Sequence, residues 1–94
     1  MMFKVYTEYR IMARLIEDVH DRIIKVIPET ETDLLQDLDK FINSIWNKAP
    51  EVRCGHEVYV PYYNILWNHG FGELDRDQDP DWKFHVRDIF AGRM

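Results

Sequence analysis

Glu8 to Pro28 reads EYRIMARLIEDVHDRIIKVIP, and its apolar residues Ile11, Met12, Leu15, Ile16, Val19, Ile23, Ile24 and Ile27 recur at intervals of three and four. That spacing lines one face of an α-helix and leaves the charged residues on the other, so one helix is predicted over about 8–27. Pro28 closes it, because a proline disfavours helical geometry in the residue before it and offers no amide to the next turn.

Downstream the same period returns. Leu34, Leu35, Leu38, Phe41, Ile42, Ile45 and Trp46 predict a second helix at about 31–48, with Pro50 as its stop. Thr30 and Asp33 resemble a capping box at its start, and Glu31 and Asp33 oppose the positive end of the helix dipole. Tyr62, Tyr63, Leu66 and Trp67 predict a third helix at about 60–69, opened by Pro61 and ended by Gly70 in the left-handed conformation. Glu57 to Val60 can also be read as a short extended segment. Asp79 as cap, Pro80 at the first position and Trp82, Val86, Ile89 and Phe90 on one face predict a fourth helix at about 80–91. Four amphipathic helices joined by short turns make an all-α fold, a small four-helix bundle, and 94 residues suffice for one domain over 1–94.

The 46% hydrophobic and 31% charged composition lies far from that of disordered chains. Cys54 is the only cysteine, so no intramolecular disulfide forms, and a cytoplasmic setting is expected. Met1 to Arg10 lacks the apolar run of a secretory signal, and no stretch reaches the ~18 apolar residues of a membrane span. A net charge of -5 disfavours direct binding to nucleic acid and suits a basic protein partner.

Chemistry-bearing groupings are few. Acids stand at every second position from Glu73 to Asp81, as in calcium loops, but an EF-hand opened at Asp75 would need glycine at Pro80 and glutamate at Val86. Cys54, His56 and His69 lack zinc-ligand spacing, and Cys54 with His56 lacks an orienting third group for catalysis. His20 and His85 read as helix-edge histidines. No metal, cofactor or catalytic residue is therefore expected.

Acids and tyrosines together are the more informative pattern. Glu31, Asp33 and Asp37 on helix two, Glu57 with Tyr59, Tyr62 and Tyr63, and Asp75 and Asp77 in the acidic loop form the expected partner-binding set. Carboxylates steer toward positive surfaces, and tyrosines give contact area at low entropy cost. The alternative is that each tyrosine belongs to the core.

In order, Tyr6-Thr7-Glu8, Glu31-Thr32-Asp33-Leu34-Leu35 running to Phe41, Val58-Tyr59-Val60-Pro61, and Asp79-Pro80 with Val86 and Ile89 resemble the small four-helix immunity proteins that neutralise nuclease colicins. Val60 stands where that family has the second tyrosine of a pair, His56 where it has an aspartate, and an extra aromatic stretch follows Pro61. The resemblance implies that acidic helix two and Tyr59 cover an exosite on a cationic nuclease and block its substrate. A toxin immunity protein or a phage-encoded anti-defence protein, monomeric or dimeric, is thus the expected function. The alternatives are a homo-oligomeric assembly module built on Trp46, Tyr62, Tyr63, Trp67 and Phe71, and a metal-dependent enzyme.

Overall fold

A computed structural model describes residues 14–93. Four helices form the body: α1, Ile16–Ile24; α2, Thr32–Ile45; α4, His56–Leu66; and α5, Asp81–Phe90, with the one-turn α3, Pro50–Arg53, between the second and third. No strand occurs among the described residues. The all-α four-helix arrangement is the one that the apolar period predicts.

Each long helix buries the centre of the face its spacing singles out, while Ile24, Leu35, Phe41, Trp82 and Phe90 at the edges are partly buried. Ile16, Val19 and Ile23 of α1 are buried, as are Leu34, Leu38, Ile42 and Ile45 of α2 and Val86 and Ile89 of α5. Of the helix expected over about 8–27, residues 8–13 lie outside the described residues, and Leu15 is extended (φ -64°, ψ 139°) as the cap of α1, so α1 starts at Ile16 and not before it. At its other end α1 stops at Ile24, and single turns from the Ile23 carbonyl to the Val26 and Ile27 amides carry the chain to Pro28. Ile27 is still buried, so the apolar period outlasts the helix.

The helix ends depart from the expected caps. Glu31 is the cap of α2 and no side chain there accepts a cap bond, so the Thr30 box does not form. Pro80, not Asp79, is the cap of α5. The Asp79 carboxylate turns back to accept from the Asp75 amide at 2.8 Å. At the other end of α5 the Gly92 amide donates to Ile89 and the Arg93 amide to Asp88, with Gly92 at φ 74°. Those two bonds make a Schellman cap, for which a residue in the left-handed region is required.

The 57–60 segment is helical, not extended, and Pro61 lies inside α4 instead of opening it. Val58, Tyr59, Tyr62 and Leu66 fall on one face and are all buried, and that burial outweighs the strand preference of valine and tyrosine. Proline cannot donate to the Glu57 carbonyl, but Glu57 is exposed, so solvent can take that place. After Leu66 the chain continues through a π-type turn, Trp67–Phe71, that is kinked at His69 (φ -102°, ψ 24°) and at Gly70, whose φ of 93° is the left-handed conformation expected of it.

Helix α1 lies between α2 and α5, and α4 packs against α2. Rings close α4 onto α5. Phe90 stacks on Tyr62 with centroids 6.0 Å apart and meets Tyr59 and Tyr63 at 5.7 and 5.4 Å.

A polar chain crosses the core. Tyr62, with none of its surface exposed, lies 2.8 Å from His20 Nδ1, and His20 Nε2 lies 2.8 Å from Asp39 Oδ1. An ionised aspartate only accepts, so Nε2 carries a proton; in the neutral ring Nδ1 then accepts from the Tyr62 hydroxyl, and every polar atom is satisfied. Three helices are thereby tied at one point, α1 by His20, α2 by Asp39 and α4 by Tyr62. Tyr62→Phe strands His20 Nδ1 in the interior and is expected to cost about 1–3 kcal/mol, read as a lower urea midpoint at unchanged slope.

Candidate partner-binding surface

Two of the three expected binding tyrosines are not at the surface. Tyr59 is 3% exposed and Tyr62 is fully buried, while Tyr63 is partly buried against the core. The Tyr59 hydroxyl donates to the Arg14 carbonyl at 2.6 Å, and the Arg14 guanidinium donates to the Ile89 carbonyl at 3.3 Å. Tyr59 and Tyr62 are therefore corrected from contact residues to structural ones. Each hydroxyl finds a partner inside the fold, which lets a large ring be buried without an unsatisfied donor.

Among the expected acids, Asp33, Asp37, Glu57, Asp75 and Asp77 are exposed and Glu31 is partly so. Along α2, Asp33 and Asp37 flank one side of the buried row, where Asp37 Oδ2 pairs with His69 Nε2 at 2.8 Å beside the π turn. Asp39 flanks the other side and faces α1 through His20. In the loop, Asp75 Oδ1 accepts from the Asp77 amide at 2.8 Å, so its alternating acids serve the turn. Asp79 Oδ1 stands 3.6 Å from Lys83 Nζ. Asp33, Glu57, Glu73 and Asp77 have no ion-pair partner among the described residues.

No group of three or more His, Cys, Asp or Glu side chains is placed to hold a metal ion among the described residues. His69 is engaged by Asp37, and the Cys54 thiol donates to the Glu51 carbonyl at 3.4 Å. No described helix is long and apolar enough to cross a membrane.

The surface has features that the acid and tyrosine pattern did not select. Trp46 is 61% exposed, and Val60 and Trp67 are 52% exposed. Trp46 follows α2, where the Arg53 guanidinium sits 5.7 Å from its ring and donates to its carbonyl at 2.8 Å. Arg53 is itself placed by Glu17, 3.1 Å away in a largely buried pair joining α1 to α3. Trp67 lies against Tyr63, with ring centroids 6.0 Å apart. The interval of seven between Val60 and Trp67 is visible in the sequence. The strand preference of Val58, Tyr59 and Val60 masks the alignment of this valine with the indole. Phe71, expected on an oligomer surface, is 4% exposed and packs in the core beside Trp82.

Comparison of the chain with protein families, with curated proteins and with solved structures gives no match.

Burial raises the ionisation of both Tyr59 and Tyr62 well above the ordinary value of 10.0. Arg14 partly offsets the effect at Tyr59, whereas Asp39 and Asp21 add to it at Tyr62. Above pH ~10 the unfolded chain loses these protons while the folded chain keeps them, so stability is fully present below that pH and falls as pH rises through it. The expected slope is at most about 1.4 kcal/mol per pH unit for each tyrosine. Absorbance titration near 295 nm should show these two ionising only together with loss of helical circular dichroism.

Proposed function

We propose that the protein acts by binding and not by catalysis, as an acidic inhibitor that captures a basic protein, a nuclease or other nucleic-acid-binding protein, and keeps it from its phosphate-bearing substrate. The observation that carries this reading is the combination of two exposed indoles, Trp46 and Trp67, with the surface carboxylates Asp33, Glu57, Glu73 and Asp77, which have no ion pair among the described residues, on a chain of net charge -5. Tryptophan is the side chain most enriched among the few that dominate interface energies, and carboxylates raise the rate of encounter with a cationic target. The likeness of Glu31 to Phe41 to the acidic helix of colicin immunity proteins points the same way. Tyr59, which that likeness would put at the interface, is excluded by its burial. Toxin immunity and phage counter-defence share this physics, and either is carried out in the cytoplasm without cofactor, membrane or direct nucleic-acid contact.

The second reading, assembly with identical copies, keeps only Trp46, Tyr63 and Trp67 of its expected surface, since Tyr62 and Phe71 are interior. A fully buried aromatic side chain contributes about 150–250 Å², and these three are only partly exposed. They supply far less than the ~800 Å² per partner of a standard interface. Anchoring to a charge-complementary partner is favoured because identical copies of net charge -5 repel each other, whereas a cationic partner is attracted.

The test is a partner recovered from host lysate, identified by mass spectrometry, purified, and measured by surface plasmon resonance at low and high salt. Salt screens exposed charges beyond ~8–10 Å at physiological ionic strength. Association is expected to slow as salt rises, and Asp33→Lys with Glu57→Lys to slow it about tenfold at low salt with little change in dissociation. Association that ignores both salt and charge reversal contradicts the reading.

A further inference from the structure

Val60, Tyr63 and Trp67 follow one another at helical spacing along the outer side of α4 and into the π turn that prolongs it. Val60 and Trp67 are each about half exposed, and Tyr63 between them is partly buried. The indole is held, not loose. Tyr63 leans on it from one side and is itself backed by Phe90 at 5.4 Å. Gly72 supports it from the other, where a Cβ would come within 2.8 Å of the Trp67 ring. Gly72 has an ordinary φ of -63°, so the glycine serves to make room for the ring and not to permit an unusual backbone. A ring already fixed in place loses little freedom when a partner covers it.

Charge brackets this strip. Glu57 lies one turn before Val60, and Glu73 follows Gly72 directly; both are exposed and without an ion pair among the described residues. Of the cations nearby on α5, Lys83 stands 3.6 Å from Asp79, and Arg87 stands 3.7 Å from Asp88, which Arg93 shares at 3.8 Å.

We propose that the Val60, Tyr63 and Trp67 strip is the docking site for a segment of a partner protein with apolar side chains in its middle and lysine or arginine at each end. This assignment names the contact segment for the binding role above and rests on it. Glu57 to Trp67 spans about 15 Å of helix, which about ten residues of a helical partner segment would cover. Its apolar residues cover the indole and Val60, and its cations meet Glu57 and Glu73.

The probe is a helical peptide of roughly fourteen residues, with leucines along one face and lysine pairs at both ends, compared with the same peptide carrying glutamates. In nitrogen-15 amide spectra of the full chain, the lysine peptide is expected to shift Val60, Asn64, Gly72 and the Trp67 indole, and the glutamate peptide to leave them unmoved. Trp67→Ala and the milder surface change Val60→Ser should each weaken binding about tenfold. Glu57→Lys with Glu73→Lys should transfer the preference to the glutamate peptide. Equal binding of both peptides, shifts lying elsewhere, or a concentration-dependent dimer that Val60→Ser dissolves overturns the assignment. If the lysine peptide ignores the strip while the basic partner still associates in a salt-dependent way, the docking assignment alone falls. Loss of that salt-dependent association removes the wider binding role as well.

Discussion

A phenol can be buried whole only if its hydroxyl finds a partner there, and the arrangement of this bundle follows from how that demand is met at Tyr62. Its nearest acceptor is the His20 ring, 42 residues earlier, and the far side of that ring needs Asp39 on a third helix. Meeting those two distances fixes the rotation of α1, α2 and α4 together, because a turn of any one by a single residue carries its polar group off the chain. Apolar burial supplies the driving force, and the hydrogen bonds choose the register in which it is spent. Tyr59 repeats the device at the edge of the core, closing α4 onto the start of α1 through the Arg14 carbonyl.

Committing these tyrosines to the interior changes what the surface can do. A reading in which tyrosine hydroxyls and carboxylates share one recognition face loses two of its three tyrosines, which are inside. The indoles remain outside, each steadied by a neighbour: Trp46 by the Arg53 guanidinium, Trp67 by Tyr63 and the bare backbone of Gly72. Apolar anchors with carboxylates nearby still suit a cationic protein. Contact energy then comes from tryptophan and Val60, and the acids contribute mainly to encounter.

Helices α1, α2 and α5 were legible because their apolar residues repeat with the helical period over two turns or more, and proline or glycine marks their ends. Helix α4 was legible only in its second half. Val58, Tyr59 and Val60 favour strands locally, and only the burial of Val58, Tyr59, Tyr62 and Leu66 against other helices decides the matter. The role of Tyr62 was hidden for a related reason: a hydroxyl shows neither whether it is buried nor which distant group receives it. Nothing in the neighbours of His20, Val19 and Asp21, reveals that it bridges two other helices. Asp75 and Asp79 looked like a ligand set, whereas their carboxylates accept from amides two residues ahead and four residues back, a local use that alternating acids do not disclose.

Nitrogen-15 NMR of the His20 ring above neutral pH tests the Tyr62, His20 and Asp39 chain most directly, because it reads the proton on each nitrogen. The chain requires a fixed tautomer, with the proton on Nε2 toward Asp39 and Nδ1 accepting from Tyr62, and a Tyr62 hydroxyl proton that exchanges slowly with water. A ring that averages both tautomers as an exposed histidine does, or that carries its proton on Nδ1, would contradict it.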